Sequence, residues 1–341
     1  MSKLPQIAAD PLWFPDAHDA NSHALRLSRT NRKALAEEAF LDDRWDRTGA
    51  AQAAHPVSDF ASLVAPKRAP RFIWHTAFCG STLLARCLDK PGSNLSLREP
   101  AVLMSLANMK RTQGAEALRR ELGPVLALLA RPFVRREHVT IKPTNTVNNL
   151  IGDVAALLPD ARHLLLYSEL RAFLLSIAKK GEPGRAFARQ LFTIFAMDGH
   201  PIAQTQPREL LKLTDLQIAA LVWHMQVACL LEAARTGGAD QVASLDGDRF
   251  LHAPEPALIA VDEFLGLGLG KEHAGQMASG PIFQRDSKDQ AQAYNAGRRA
   301  EEAEQAAASI GPSLDAIIEW SYGLFPASPR PGHMPHPLLA N

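Results

Sequence analysis

The residues best suited to chemistry lie in a short turn between an apolar run and a helical pattern. The run FIWH is followed by TAFCGST and then by LLARCL, whose apolar positions fall on one helical face. Cys79, Gly80, Ser81 and Thr82 are small, so backbone N–H groups can approach a ligand closely while two hydroxyls add donors. Such a turn suits a phosphate-type anion. An ordinary strand-to-helix turn capped by Ser81 fits the same residues, and this segment alone leaves both interpretations open.

Other chemistries need residues that this turn lacks. A nucleoside triphosphatase loop requires Gly-Lys-Ser/Thr, whereas Gly80 is followed directly by Ser81, which disfavours ATP or GTP hydrolysis. A serine hydrolase would need G-x-S-x-G at the turn. Cys79 could act as a nucleophile, but the sequence places no base beside it. The twelve histidines include no H-x-x-x-H or H-E-x-x-H spacing, so no catalytic metal is predicted.

The turn needs a scaffold, and the chain predicts a central parallel sheet. Short apolar runs alternate with longer helical patterns, which is typical of α/β domains with helices on both faces of the sheet. The candidate strands are Arg71–His75, His138–Lys142, 163–167 and 241–245. Because ligands bind such sheets at the carboxyl ends of the strands, the residues just after each strand are candidates for a site.

Length and composition are those of a soluble globular protein. The 341 residues are 46% hydrophobic and 21% charged. The 37 basic residues nearly balance 36 acidic ones, so neither a nucleic-acid nor a membrane partner is predicted. Three cysteines without metal-ligand spacing and an N-terminal segment without an export signal's apolar core favour the cytoplasm. The apolar stretch 216–231 falls short of the ~20 residues of a membrane span and predicts a buried helix.

The chain divides into three parts by composition. Residues 1–70 form an N-terminal extension, in which 22–53 predicts one or two amphipathic surface helices and 56–70 a proline-containing connector. Residues 71–325 form the α/β domain. The tail 326–341 is dense in proline, and this composition predicts disorder.

The segment FIWHTAFCGSTLLARCLD resembles the 5′-phosphosulfate loop of sulfotransferases that use 3′-phosphoadenosine 5′-phosphosulfate (PAPS). That family's loop has a basic residue, then Ser-Gly-Ser/Thr-Thr, then a leucine-rich helix, and residues 79–84 overlay most of it. The basic position falls on Phe78. The resemblance implies a P-loop-type sulfotransferase fold in which Cys79, Gly80, Ser81 and Thr82 bind the phosphosulfate. The missing cation must then be replaced by amides, hydroxyls or a basic group from elsewhere.

Two charged residues, one after the first predicted helix and one at the end of a predicted strand, extend the resemblance. Glu99, in the segment LREP, stands where some members carry a catalytic base, although a loop carboxylate paired with Arg98 fits equally well. Lys142 ends a candidate strand and is followed by Pro143, as in the family. A lysine there could neutralise charge on the leaving oxygen, and we favour this role over a lysine that merely extends to solvent.

The family's 3′-phosphate segment is only half preserved. Its two arginines align with Ser168 and Arg171, and its serine aligns with Ser176. The resemblance implies that Arg171 and Ser176 hold the 3′-phosphate, although Arg171 could equally be solvated in the first turn of a helix. Lys288, in the stretch 285–288, is a further candidate for replacing the missing charge.

A final segment resembles the end of the family's core, with Asp248 at the position of a family glutamate, so that the resemblance covers about residues 71–267. It implies transfer of a sulfuryl group from PAPS, as co-substrate, to a hydroxyl or amine on a small molecule, glycan or peptide, without a metal. Two alternatives stay open. One is a phosphotransferase or nucleotide-binding protein with a different donor, and the other is a non-catalytic homologue.

Overall fold

The computed structural model describes residues 4–62, 68–200, 202, 207–285 and 296–339. Its strands form two sheets. The antiparallel N-terminal sheet contains β1 (Trp13–Asp19), β2 (Ala24–Arg29) and β3 (Gln52–Pro56). The parallel central sheet contains β4 (Arg71–His75), β5 (Asn94–Arg98), β6 (His138–Lys142), β7 (Arg162–Tyr167) and β8 (Val242–Asp246), in the order β5-β6-β4-β7-β8.

The helices of the described residues connect these strands and cover both faces of the central sheet. They are α1 (Leu4–Ala9), α2 (Arg32–Glu37), α3 (Ser81–Cys87), α4 (Ala101–Gln113), α5 (Ala115–Leu129), α6 (Ile151–Leu157), α7 (Leu170–Lys179), α8 (Gly181–Ala196), α9 (Pro207–Leu210), α10 (Asp215–Thr236), α11 (Gly247–His252), α12 (Pro254–Leu265), α13 (Lys271–Ser279), α14 (Ala296–Ile310) and α15 (Ser313–Leu324). Short 3₁₀ turns occur at Val57–Phe60, Asn145–Leu150 and Pro281–Gln284.

The central sheet is buried on both faces, as its apolar strands require. In β4, Phe72 and Trp74 belong to one apolar cluster, together with α4 and α5, while Ile73 belongs to another with α3 and α12. Alternate side chains of a strand point to opposite faces, so this division identifies the two covered layers. The predicted α/β class, with a parallel sheet between helices, is confirmed.

The long helix α10 is a core element. The Thr214 hydroxyl oxygen caps its first turn by accepting from the Gln217 N–H, and the Gln217 side-chain oxygen accepts from the Thr214 N–H. This helix is long and apolar enough to cross a membrane, but 67% of its apolar window is buried inside the protein, as in the core helix of a soluble domain. The prediction of a buried helix over 216–231 is confirmed.

The N-terminal extension differs from the prediction. Over 22–53 the chain forms β2, α2 and the start of β3, so only the six residues of α2 form the surface helix that was predicted and the rest is mainly strand and loop. In β2, Leu25 and Leu27 are fully buried and pair with His55 and Ala53 of β3. Strand pairing and burial on one face outweigh the helical propensity of Ala, Leu and Arg, which is a weak preference.

The proline-rich tail is ordered over its described residues, contrary to the prediction of disorder. The N–H of Ser244, in β8, donates to the His336 carbonyl at 2.8 Å, and the Leu338 N–H donates to the Ser244 carbonyl at 2.9 Å. Met334 is buried. A proline-rich segment can be ordered as an extended chain without forming a helix. Here the outer edge of β8 supplies hydrogen-bond partners for the tail, and the composition of the tail does not show that these partners exist.

Candidate functional site

The small-residue turn lies at the carboxyl end of β4, in the middle of the central sheet. It opens into a cavity of about 820 Å³ whose lining includes Cys79, Gly80, Ser81 and Thr82. Gly80 has φ of +80° and Phe78 has φ of +63°, so the backbone turns twice through the left-handed region. For a residue such as phenylalanine this conformation is strained, and strained backbone concentrates at functional sites.

Neighbouring strand ends fix the shape of the turn. The Thr76 N–H donates to the Leu166 carbonyl at 3.1 Å, and the Thr76 hydroxyl oxygen accepts from the Ser168 N–H at 3.2 Å. The Cys79 thiol donates to the Thr76 carbonyl at 2.9 Å. Burial raises the pKa of Cys79 to about 11, so the thiol is protonated at neutral pH and is a poor nucleophile. The structure therefore favours a structural role for Cys79 in the turn.

Gly247, at the start of α11, packs directly against the turn. A Cβ atom at this position would lie 2.2 Å from the Cys79 carbonyl oxygen, closer than any real contact allows. The close approach of two backbones is what glycine permits. The contact was not predicted from the sequence, because nothing in the residues around Gly247 shows which loop they touch.

Replacement of Gly247 by alanine should displace the turn. We expect binding of phosphate-type anions to weaken about tenfold and the free energy of unfolding to fall by about 1–3 kcal/mol, as in overpacked cores. Gly152→Ala is a matched control, since a Cβ there meets no atom within 4 Å. Calorimetric titration and thermal unfolding measure both effects. Unchanged affinity in Gly247→Ala would show that the turn takes no part in binding.

Two lysines stand near the position where the resemblance expects a basic residue. Phe78 packs against Phe173 and Phe187, and the Lys180 ammonium lies 5.6 Å from its ring centroid. Lys179 and Lys180 both line the cavity. Lys179 also pairs with Glu302 of α14 at 3.3 Å. These cations come from the end of α7, about a hundred residues from the turn, and they were not predicted from the sequence.

Glu99 and Lys142 meet at the carboxyl ends of β5 and β6. Parallel pairing sets Arg98 beside Lys142, and the Glu99 N–H donates to the Lys142 carbonyl at 2.7 Å. The Lys142 ammonium pairs with the Glu99 carboxylate, whose other oxygen lies 3.5 Å from Arg44. Glu99 also has a positive φ of +54°. The partner of Glu99 is thus Lys142, not the neighbouring Arg98 considered from the sequence.

Lys142 contacts the back of the Glu99 carboxylate, which in turn lines the cavity. Its side chain is fully buried, and burial lowers the pKa of the ammonium while the Glu99 carboxylate raises it. Glu99 lines the cavity, whereas Lys142 lies behind it. In this arrangement Lys142 positions the Glu99 carboxylate and offsets the negative charge of that group. The predicted contact between Lys142 and a leaving oxygen stays a prediction.

The N-terminal extension completes one wall of the cavity. Phe40, Asp42 and Arg44 line it beside Glu99, and the Arg44 guanidinium lies 3.5 Å from the Phe40 ring centroid. Arg44 also pairs with Asp42. The sequence predicts a surface helix for this segment, so these three residues were not predicted to belong to the site. No spacing in the chain connects them with the turn.

Two of the residues predicted for the 3′-phosphate, Arg171 and Ser176, line one groove that adjoins the cavity. Ser176 lines the cavity as well. Arg171 is exposed and pairs with Asp315 of α15. Ser168 is fully buried, and its hydroxyl has no hydrogen-bond partner among the described residues. Lys288 lies outside the described residues. Ser176 thus lines both cavities, and Arg171 lines the groove while pairing with a carboxylate, so their contact with a 3′-phosphate stays a prediction.

No protein-family model matches the chain, and no curated protein matches it. Among solved structures, the chain is similar to the sulfotransferase domain from the curacin biosynthetic pathway, with 13% identity, a TM-score of 0.44, and coverage of 78% of this chain and 100% of that one. It is also similar to the sulfotransferase domain of the Synechococcus PCC 7002 olefin synthase, with 17% identity, a TM-score of 0.40, and coverage of 71% and 97%.

A sulfotransferase from Mycobacterium avium is a third similar structure, with 12% identity, a TM-score of 0.37, and coverage of 74% of this chain and 77% of that one. These values are too low to decide the activity. The fold rests on the described strands and helices themselves, and the site rests on the residues around the cavity.

Proposed function

We propose that this protein transfers a sulfuryl group from a nucleoside 5′-phosphosulfate to a hydroxyl or amine acceptor. The observation that carries the proposal is that one cavity is lined both by the turn 79–82 and by Glu99, which a buried lysine holds in place. PAPS is the member of this donor class that the resemblance implies. Whether the 3′-phosphate of PAPS is accepted depends on the groove beside Arg171.

The turn supports the part of the proposal that concerns donor binding. Backbone N–H groups of a glycine-containing turn and the hydroxyls of Ser81 and Thr82 are suitable donors to a phosphosulfate. Lys180 adds positive charge from the end of α7. Such fixed donors stabilise negative charge on the leaving phosphate without reorganising during the reaction.

Glu99 supports the part of the proposal that concerns the transfer reaction. A carboxylate held at the cavity wall can accept the proton of an acceptor hydroxyl as its oxygen attacks sulfur. Lys142 fixes the carboxylate from behind, and Phe40 forms an apolar surface beside it. The S–O bond to the donor phosphate breaks as a new bond forms between sulfur and the acceptor oxygen, or the acceptor nitrogen in the case of an amine. The products are the sulfated acceptor and a nucleoside 5′-phosphate.

The proposal is tested by comparing ligands in calorimetric titrations of the purified protein. We expect adenosine 5′-phosphosulfate or PAPS to bind at least about tenfold more tightly than ATP or GTP, because the turn lacks the lysine of a triphosphate loop. A preference for ATP or GTP would favour a different donor. Absence of binding by all four would favour a non-catalytic protein.

Lys180 offers a test of the substitute cation. Replacement by alanine should weaken phosphosulfate binding about tenfold, the lower end of a charge-assisted contact because the side chain is exposed. Lys33→Ala on α2 is the control, since Lys33 is an exposed lysine that does not line the cavity. Calorimetry at two salt concentrations measures the effect. Equal affinities of the two variants would place the compensating charge elsewhere.

A further inference from the structure

His75 is the last residue of β4 and lines the same cavity as the turn that follows it. Its side chain is buried. The Nδ1 atom lies 2.7 Å from the Thr76 carbonyl oxygen, and the Nε2 atom lies 2.9 Å from the Pro143 carbonyl oxygen. Both nitrogens of the ring therefore face backbone carbonyls at hydrogen-bond distance.

These two contacts determine the charge of the ring. A carbonyl oxygen only accepts hydrogen bonds, whereas a neutral imidazole has one N–H and one bare nitrogen that is itself an acceptor. A neutral His75 would place a lone pair opposite one of the two carbonyl oxygens, and two unpaired acceptors inside a protein are costly. The imidazolium carries a hydrogen on each nitrogen and satisfies both carbonyls. Burial alone favours the neutral ring, but hydrogen bonds that only the charged ring can make oppose this preference.

His163, on the neighbouring strand β7, shows the opposite arrangement. Its Nδ1 atom accepts from the indole N–H of Trp74 at 3.0 Å, so this nitrogen carries no hydrogen and the ring is neutral. Burial lowers the pKa of His163 to about 4. Two buried histidines of one sheet therefore differ in their hydrogen-bond partners, and we expect them to differ in charge.

The carbonyls that His75 contacts belong to neighbouring strand ends. Backbone pairing between β4 and β6 joins 71–72 to 140–141, so the described pairs stop before either strand ends. Thr76 directly follows β4, and Pro143 directly follows β6. The ring of His75 thus joins the two strands beyond their backbone pairing. It also occupies two carbonyl oxygens whose partial negative charges would disfavour an anion at this edge of the sheet.

Other titratable groups lie around the same end of the sheet. Cys79 is protonated at neutral pH, since burial raises its pKa to about 11. Lys142, at the end of β6, pairs with Glu99 after β5, and Glu169 after β7 lines the adjoining groove. The further charged residues that line the cavity within the described part of the chain are Asp42, Arg44, Lys179, Lys180 and Glu302. A pH profile of anion binding would report several of these groups, so the charge of His75 has to be measured on the ring itself.

We infer that His75 is a buried imidazolium that fixes the ends of β4 and β6 and supplies positive charge to the turn, whose position 78 is phenylalanine where the resemblance expects a basic residue. Both N–H groups of the ring are directed to carbonyls. The ring therefore acts on a bound anion through its charge and through the turn, and it is a positioning residue. Its effect on the anion rests on the proposed function, whereas the charge of the ring does not.

Nitrogen-15 NMR of the full chain with labelled histidine measures this charge directly. The two nitrogens of an imidazolium are both protonated and have similar chemical shifts, whereas a neutral ring has one protonated and one bare nitrogen with widely separated shifts. At neutral pH we expect the first pattern for His75 and the second for His163. Through-bond correlation with the backbone assigns both rings in the unmodified protein. A bare nitrogen in His75 would overturn the inference and leave the proposed function in place.

Replacement of His75 by glutamine tests the effect on the anion. The change keeps an N–H donor and removes the charge, so we expect adenosine 5′-phosphosulfate to bind about tenfold more weakly, as for a positive charge lost near an anion in a partly buried site. His138→Gln is the control, because His138 begins β6 at the strand end away from Lys142 and does not line the cavity. Burial lowers the pKa of His138 to about 4, so this control removes no charge at neutral pH.

Calorimetric titration of the two folded variants and of the unmodified protein measures the difference. If His75→Gln binds the phosphosulfate as tightly as His138→Gln, the inference is wrong although the proposed function stands. If the unmodified protein binds no phosphosulfate, the proposed function and the electrostatic role of His75 fail together. Should His75→Gln not fold, the NMR measurement on the unmodified protein still decides whether the ring is charged.

Discussion

Replacement of Glu99 by glutamine is expected to lower turnover by about 10²–10⁴-fold, the usual effect of removing a general base. Donor affinity should stay nearly unchanged, because the turn proposed to bind the donor follows β4, whereas Glu99 follows β5, and β6 lies between these two strands. Steady-state kinetics with a phosphosulfate donor measures turnover, and calorimetry measures affinity. Wild-type turnover in this variant would place the base elsewhere.

The same substitution leaves Lys142 buried without its carboxylate. Breaking a buried ion pair from one side costs about 3–5 kcal/mol, so a drop in stability must be separated from a chemical effect. The double variant Glu99→Gln with Lys142→Met removes the stranded charge. We expect it to recover thermal stability but not turnover. If turnover returned with stability, Glu99 would be a structural residue rather than the base.

Gly80→Val should weaken binding of phosphosulfate by at least about a hundredfold. At φ of +80° a β-branched residue is strongly disfavoured, so the turn must rearrange to accept valine. The rearrangement moves the N–H groups of Ser81 and Thr82 away from the anion. Calorimetric titration of the folded variant measures the loss.

The valine side chain at position 80 should not clash with the core, so we expect the turn to rearrange while the rest of the protein stays folded. A Cβ at Gly80 meets Phe250 and Leu251 only at 3.7–3.8 Å, which is ordinary contact. The expected signature is therefore lost binding in a protein that still unfolds cooperatively. Unchanged affinity in folded Gly80→Val would contradict the role of this turn in anion binding.

Strands with strong apolar patterns were predictable, and strands that depend on distant partners were not. The bounds of β4 and β6 agree with those predicted from RFIWH and HVTIK. The strand β5, NLSLR, was missed. It ends in Arg98, which is fully buried because its guanidinium donates to the carbonyls of Leu35, Ala36 and Glu38. A sequence pattern does not show that a buried arginine has such partners.

The candidate site was predictable in its parts but not in its pairings. The turn 79–82 was found because small residues between a strand and a helix are a local signal. The pairing of Glu99 with Lys142 depends on β5 lying beside β6, forty residues further along the chain. The carboxylate that pairs with Arg171 belongs to Asp315 of α15, so this ion pair could be found only in the fold.

Both ends of the chain protect the central sheet from pairing with other molecules. The edge strand β5 is covered by the N-terminal segment, whose Leu41 N–H donates to the Arg98 carbonyl at 2.7 Å. The opposite edge strand, β8, hydrogen-bonds to the tail through Ser244. Exposed strand edges are templates for aggregation. The extension and the tail therefore contribute to solubility. Loss of either would expose unpaired backbone N–H and C=O groups along one edge of the central sheet.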